Sequence, residues 1–543
     1  MQLQPYLTST LYLSENNQYH IFMTEPTSLD IQFTKRFSGN LISNVIYFIA
    51  NIIFGLALVP YFLDTLGASA YGLIPLATSL TGYVTLVINA LNGAVSRYLT
   101  IDLQRGEISK ANETFNTALF GSLGIVLALT PVALVIAWLC PSFFDIGNQT
   151  ANDVFLLFAL VFASVLIRSW SSNFMVTLFA YNRLDMRNYV NITNLIVQIV
   201  IVVLLFSLIG PSLPFVGLSY LIAALVALVL SYILSRHVSP FLTISASTFS
   251  SAQFKEMGGV ASWLLITNLG LILRGSIALI VVNLLFGSIA GTEYSLALMW
   301  YTLLVSISGL VTNCFTPMIY SYRAKEEREA IIRFTAFSTK VTTLFMALPI
   351  GLVCIYSSQL LTFWVGAEYA SLAPLVWILV IPVIFVIQSS CCAPINAAYK
   401  RVRVPAIANI LTGILNLGLA FALPLIFNLG MYGVAYATMI ATYLLSGVIS
   451  PIYNAYVVKA HLLEFVRPAF TGIICFIVLL VVGTALSNII IVDSIPDLIL
   501  MGILIASIYS LSVCRFILKE DERMAVRSCI PFTLARIIPK WVL

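Results

Sequence analysis

The chain has 543 residues, 60% of them hydrophobic and 9% charged, with a mean hydropathy of +1.00 and a formal net charge of +5. That balance excludes a soluble domain with a solvated surface and leaves a polytopic membrane protein.

The first 34 residues are polar and lack the basic start and apolar centre of a signal peptide. Residues 1–40 therefore read as a disordered cytoplasmic tail, with translation starting at Met1 or at Met23. From residue 41 onward, apolar runs of the roughly 20 residues that a helix needs to cross a bilayer recur almost without pause. Fourteen are expected, at 41–63, 71–95, 115–139, 153–180, 189–209, 214–235, 258–286, 292–316, 337–358, 372–398, 405–427, 431–458, 468–491 and 496–518. They are too long for barrel strands and show no period-two alternation, so the backbone must satisfy its hydrogen bonds as helices. The end, KEDERMAVRSCIPFTLARIIPKWVL (519–543), mixes charges with Phe532, Leu534, Ile537, Ile538 and Trp541, which suits a cytoplasmic segment lying on the inner leaflet.

Of the 27 Lys and Arg, 25 fall in alternate gaps or in the tails, all on one side; Arg168 and Arg274 lie inside spans. The opposite gaps carry acids: Asp64, Asp145, Asp153, Glu293, Glu368, Asp493 and Asp497. By the positive-inside rule both termini are expected in the cytoplasm. The net charge thus reflects topology and points to no nucleic-acid partner.

The eight cysteines sit mostly in or beside spans, where Cys behaves as a small apolar residue, and no pair is placed for an external disulfide. His20, His237 and His461 are far apart, so no metal cluster or histidine-based triad is visible, and the absence of any Gly-Lys dipeptide excludes a Walker A loop. An enzyme is not expected, nor a cofactor.

Internal repetition is more informative. FAYNRLDMRNYVNITNLIVQIVIVVLLF after the fourth span matches NAAYKRVRVPAIANILTGILNLGLAFALPLIF after the tenth, with Tyr181 and Tyr399 218 apart. VGLSYLIAALVALVLSYIL matches YGVAYATMIATYLLSGVI, and LGASAYG matches FGSIAGTEY, with Gly217/Gly433 and Gly67/Gly287 separated by 216 and 220. The constant offset predicts two six-helix lobes, 41–235 and 258–458, with 468–518 appended. Because six is even, the lobes share one orientation and should be related by an axis along the membrane normal.

The stretch RFSGNLISNVIYFIANIIFGLALVPYFLDTLGASAYGLIPLATSLTGYVTLVINALNGAVSRYLT resembles the opening of Wzx-type polysaccharide flippases, within the MATE-like superfamily of multidrug, oligosaccharidyl-lipid and polysaccharide (MOP) exporters. The resemblance covers about residues 36 to 518 and is strongest in LGASAYGLI, SRYLT and the count of fourteen spans. It implies a V-shaped, two-lobed transporter in the bacterial inner membrane. Its central cavity, lined mainly by spans 1, 2, 7 and 8, would carry undecaprenyl-diphosphate-linked oligosaccharide outward. Many relatives carry an acid near the middle of span 7; SIALIVVNLLFG has none, so no ion coupling is carried over.

Within that frame the polar residues of the spans divide. Asn40, Asn44, Tyr47 and Asn51 share one face of span 1 and must face another helix or a wet cavity. Asn89, Asn92 and Arg97 lie toward the basic end of span 2. Asn188, Asn191, Asn194 and Gln198 make a stripe on span 5 that reads as packing. Arg168 and Arg274 each cost about 2.5–3.5 kcal/mol at mid-bilayer. Backbone carbonyls or water could solvate them; the alternative is an anionic substrate, since guanidinium stays charged when desolvated and grips phosphate oxygens in pairs. The expected substrate site therefore comprises Arg274 and Arg168 as cations, with Asn44, Tyr47, Asn51, Asn89 and Asn92 as polar lining.

The expected partner is a lipid-linked oligosaccharide, with a polysaccharide polymerase and chain-length regulator as protein partners. A cation-coupled drug exporter would instead need membrane carboxylates, and a polymerase or ligase a large external loop. The coupling ion, proton or sodium, is left open, as is direct use of the membrane potential.

Overall fold

The computed structural model describes residues 28–523 except 314, 491 and 521, and omits some side chains within helices, Arg274 among them. Every regular element among the described residues is helical. In chain order these are α1 (Ser28–Leu66), the single turn α2 (Ala68–Tyr71), α3 (Leu73–Gln104), α4 (Ile108–Phe143), α5 (Ala151–Ala180), α6 (Leu184–Leu208) and α7 (Leu213–Val238). Then come α8 (Ser251–Gly275), α9 (Ile277–Asn313), α10 (Thr316–Ala324), α11 (Arg328–Ile355), α12 (Ser357–Val365), α13 (Ala373–Val380) and α14 (Val383–Ala398). The last are α15 (Arg403–Phe427), α16 (Met431–Thr442), α17 (Ser450–Val458), α18 (Leu463–Ile489) and α19 (Ile495–Ser512). Among the described residues, thirteen helical stretches are long and apolar enough to cross a membrane, so the chain is an all-α, multi-pass integral membrane protein.

Four departures from the expected boundaries have local causes. The tail expected through residue 40 is helical from Ser28, because SLDIQFTKRF contains neither Pro nor Gly to stop the helix; the rest of that tail, 1–27, and most of the C-terminal one, 524–543, lie outside the described residues. The runs expected as spans at 258–286 and 292–316 become α8, broken at Ser276, and α9, kinked at Gly287. Gly287 has φ 87°, which other residues rarely adopt, and it replaces the loop expected between those spans. The run at 372–398 divides at Pro382 into α13 and α14. Between α16 and α17 the helix widens to a π-helical stretch, Tyr443–Ile449, just before Pro451, which has no N–H to give the preceding turn.

The apolar interior separates into two main cores. One is built from residues such as Leu73, Leu76, Ile88, Leu157, Phe158 and Val216, the other from Leu279, Val282, Ile350, Leu375, Val383 and Ile387. α5 runs along α7 in the first half, where the Thr177 and Ser235 hydroxyls pair at 2.6 Å, and α18 runs along α11 in the second. Outward faces are apolar as well, with Trp138, Leu208, Leu425, Ile474, Val481 and Leu500 exposed, as a hydrocarbon solvent requires. Left-handed residues recur along the chain in pairs: Gly67/Gly287, Gly106/Glu326, Gly147/Gly366, Asn182/Lys400 and Gly210/Gly430, 218 to 220 positions apart. Five turns of the first half thus share their backbone handedness with five of the second.

Candidate functional site

The two halves meet at the face that carries the acidic gaps and also along α8, which packs on both α3 and α15 and whose Glu256 accepts from the Tyr98 hydroxyl at 3.0 Å near the basic face. Asp145, after α4, accepts hydrogen bonds from the backbone N–H of Ser288 (2.8 Å) and from its hydroxyl (3.1 Å), capping the part of α9 that restarts beyond Gly287. The Ser69 hydroxyl reaches Ser288 at 3.1 Å, and Thr292 donates to the Ala68 carbonyl at 2.5 Å. Below these contacts Trp364 of α12 donates its indole N–H to the Leu56 carbonyl (2.7 Å) and packs edge-on against Trp300 of α9. Gly55 lies so close to Met299 that an added Cβ would stand 2.8 Å from its terminal methyl.

Beyond that seal, toward the basic face, α1 and α9 separate and leave a cleft of about 490 Å³. Asn44, Tyr47 and Asn51, with Phe48 and Ile52, line the α1 wall, and Thr302 and Ser306, with Leu303, Gly309 and Leu310, the α9 wall; no charged side chain is among the lining residues. The lining is largely apolar, with amide, phenol and hydroxyl groups set into it and no countercharge.

The sequence stripe on α1 therefore divides. Asn40 is buried and bonds the Asn182 carbonyl and side chain at 3.0 Å, fastening the chain before α6. Asn44 lines the cleft yet also accepts from Asn188 of α6 at 2.6 Å, so it is held in place by packing. Tyr47 and Asn51 lie beyond that contact, and Asn51 is exposed. Asn89, with Gly93 and Arg97, forms an exposed face of α3, while Asn92 turns into the first half and donates to Ser172 at 2.6 Å. Arg168 is exposed on α5. Of the expected α6 stripe, Asn188 and Asn194 are buried, and Asn188 donates to Ser43 and Asn44 of α1. Neither Arg168 nor Asn89 nor Asn92 borders the α1–α9 cleft. Arg274 stands in the last turn of α8, just before the break at Ser276; its side chain lies outside what is described.

Thr302 and Ser306 were not expected. Their signal is present in YTLLVSISGL, where Thr302, Ser306 and Gly309 repeat at helical spacing as a small, polar stripe. Glu293, expected in an external gap, belongs instead to α9, half-buried six residues past the kink at Gly287, where its charge acts on Tyr369 and Tyr432.

The backbone N–H groups of Ser288 and Gly147 hold the Asp145 carboxyl below the usual carboxylate range. A depressed acid stabilises the state that depresses it at pH above its ordinary value near 4, and loses that effect as pH falls through the lower, closed-state value. Closure of the acidic face should therefore be insensitive to pH between 5 and 8. Asp145→Ala should shift the open-to-closed ratio several-fold, from about 1 kcal/mol for charge-assisted bonds at an exposed site. Spin labels at Gln149→Cys and Ser371→Cys, on opposite halves, report this as a longer distance population; an unchanged distribution in Asp145→Ala would remove the carboxylate from the seal.

No family model matches the chain. It is 25% identical over 500 residues to the uncharacterized membrane protein EpsK of Bacillus subtilis (strain 168), covering 91% of this chain and 97% of that one. Among solved structures it resembles an inward-facing multidrug resistance MATE family transporter of the MOP superfamily, with a TM-score of 0.61, 12% identity, and coverage of 75% of this chain and 94% of that one. The lipid II flippase MurJ in its inward closed conformation superposes with a TM-score of 0.57, 16% identity, and coverage of 86% and 98%. The chain thus shares the fold of these MATE and MurJ structures.

Proposed function

We propose that the protein is a flippase that moves undecaprenyl-diphosphate-linked oligosaccharide from the cytoplasmic to the outer leaflet of a bacterial inner membrane, for surface polysaccharide assembly. The observation that carries this reading is the cleft between α1 and α9, which offers amide, phenol and hydroxyl groups and no carboxylate. Sugar hydroxyls match those groups, and the gap between two helices at the lipid boundary lets a polyprenyl chain stay in hydrocarbon. With the basic face cytoplasmic, the seal at the opposite face makes this the cytoplasm-facing state of an alternating-access cycle. The product would pass to a polysaccharide polymerase and its chain-length regulator. An inside-negative potential favours outward movement of an anion by about 2.3 kcal/mol per charge per 100 mV.

The direct test is translocation of a fluorescent lipid-linked oligosaccharide in proteoliposomes. Asn51→Leu with Ser306→Leu, which removes one polar group from each wall, should slow it at least tenfold, since each lost neutral hydrogen bond removes about 1 kcal/mol. Transport at the unaltered rate would detach the cleft from the substrate. Cation-coupled drug export is the second reading, and Glu293 is the observation in its favour: a half-buried acid at the junction of the halves. Proton-driven efflux of cationic dyes that disappears in Glu293→Gln would favour it. Orientation is checked separately: reporter fusions at residues 30 and 530 should both signal from the cytoplasm; an external signal from one alone would break the even count of spans, and from both would reverse the direction of transport.

A further inference from the structure

At the basic face of the second half, α11, the turn after α17, α18 and the chain after α19 border an open pocket of about 1160 Å³ that the transport cleft does not include. We propose that this pocket holds the phosphate of an anionic phospholipid, such as phosphatidylglycerol, whose acyl chain lies in the groove between α18 and α19.

Two of the pocket's six Lys and Arg are already engaged. Lys340 pairs with Glu522 at 2.6 Å and donates to the Ile517 carbonyl at 3.2 Å, and Arg328 donates to the carbonyls of Val458 and Lys459. Arg333, Lys459, Arg467 and Lys519 remain as exposed cations around the rim, against the carboxylates of Glu329 and Glu464. A surplus of cations at a membrane face attracts anionic headgroups, and guanidinium pairs with phosphate oxygens.

The neighbouring groove decides that the phosphate is a lipid's. About 370 Å³ of apolar space runs between α18 and α19, with Ile474, Val478, Val482, Ile508 and Phe516 exposed along it. Pocket and groove join at Lys340. The Ile517 carbonyl that Lys340 bonds belongs to a groove residue, the Lys340 charge also acts on Cys475 of the groove, and Thr471 of the pocket is one helical turn from both Ile474 and Cys475. From Ile474 to Leu486 the α18 wall runs about 18 Å at 1.5 Å per residue, close to one leaflet of a roughly 30 Å hydrocarbon core. A free phosphate would leave the groove unused, and an uncharged lipid would leave the cations unused.

The test is binding of phosphatidylglycerol, phosphatidylcholine and inorganic phosphate to the purified full chain in detergent, read by native mass spectrometry and by thermal shift. Phosphatidylglycerol should bind at least tenfold better than phosphatidylcholine. Arg333→Gln with Arg467→Gln, both exposed, should bring it down to the phosphatidylcholine level, and Lys459→Gln with Lys519→Gln is an independent pair on the same rim. Val478→Trp, which fills the groove, should weaken phosphatidylglycerol and leave inorganic phosphate unaffected. Equal binding of the two lipids, or a preference that survives both double substitutions, would overturn the site. Inorganic phosphate that displaces phosphatidylglycerol at equal concentration would show a phosphate pocket without a lipid and overturn the proposal equally.

Discussion

Gly72→Leu should leave the protein folded and inserted but hold its acidic face open, with export of surface polysaccharide falling at least tenfold. A Cβ at Gly72 would stand 2.4 Å from the Ser288 carbonyl oxygen, 2.6 Å from Thr292 Oγ1 and 3.1 Å from the Thr292 N. Two of those atoms are backbone, and Ser288 is already fixed by Asp145 and Ser69, so the neighbour cannot step aside. Gly72 itself has φ −57°, an ordinary helical value, so a larger residue costs the isolated first half nothing in backbone strain. The clash exists only while the halves are together, which makes it a lever on the closed state rather than on folding. Even Gly72→Ala should perturb, whereas Gly124→Ala, where an added Cβ meets no atom within 4 Å, should behave as the unaltered protein. Accessibility of an engineered Ser295→Cys to an impermeant maleimide, together with membrane abundance, separates the cases. Unchanged labelling in Gly72→Leu would mean that the seal is not what keeps that face shut.

Some of this was legible in sequence and some was not, for physical reasons. Membrane helices announce themselves because hydrocarbon leaves a backbone few options, and the runs behind α5, α7 and α15 lie within a few residues of where hydropathy puts them. Breaks inside apolar runs were not legible: Ser276 and Pro382 interrupt helices without interrupting hydrophobicity, whereas the kink at Gly287 falls where a gap between spans was expected. The stripe on α1 was visible as a face, but a face does not say what it meets. Asn40 and Asn44 reach the start of α6, while Tyr47 and Asn51, one and two turns on, reach a cleft, and only tertiary placement separates them. Asn92 failed as a cleft residue for the same reason, since its amide finds Ser172 within its own half. Thr302 and Ser306 were passed over because hydroxyls in membrane helices usually bond their own backbone, as both of these do, to the carbonyls of Leu298 and Thr302.

Arg274→Ala and Arg274→Gln should each reduce surface polysaccharide about 10- to 100-fold at unchanged protein abundance, while Arg274→Lys keeps part of the activity. The expectation rests on where the residue stands. It occupies the last turn of α8, immediately before the break at Ser276, in an apolar run whose only charge between Lys255 and Glu256 at its start and the end of α8 is its own. Placing a guanidinium there costs about 2.5–3.5 kcal/mol on insertion scales, so its removal should ease insertion, and a loss of export could not be blamed on a failure to enter the membrane. α8 packs on α3 of the first half and α15 of the second, so its end lies where the halves move against each other. If the charge pairs with a diphosphate, the loss equals the roughly 1.5–3 kcal/mol of hydrogen bonds to a charged group, and an ammonium recovers the charge without the bidentate geometry. Complementation of a flippase-deficient strain, with abundance measured in membranes, reads all three variants. Normal export by Arg274→Ala would reduce the residue to a helix-end anchor and would leave the cleft between α1 and α9, with its neutral groups, as the whole of the substrate site.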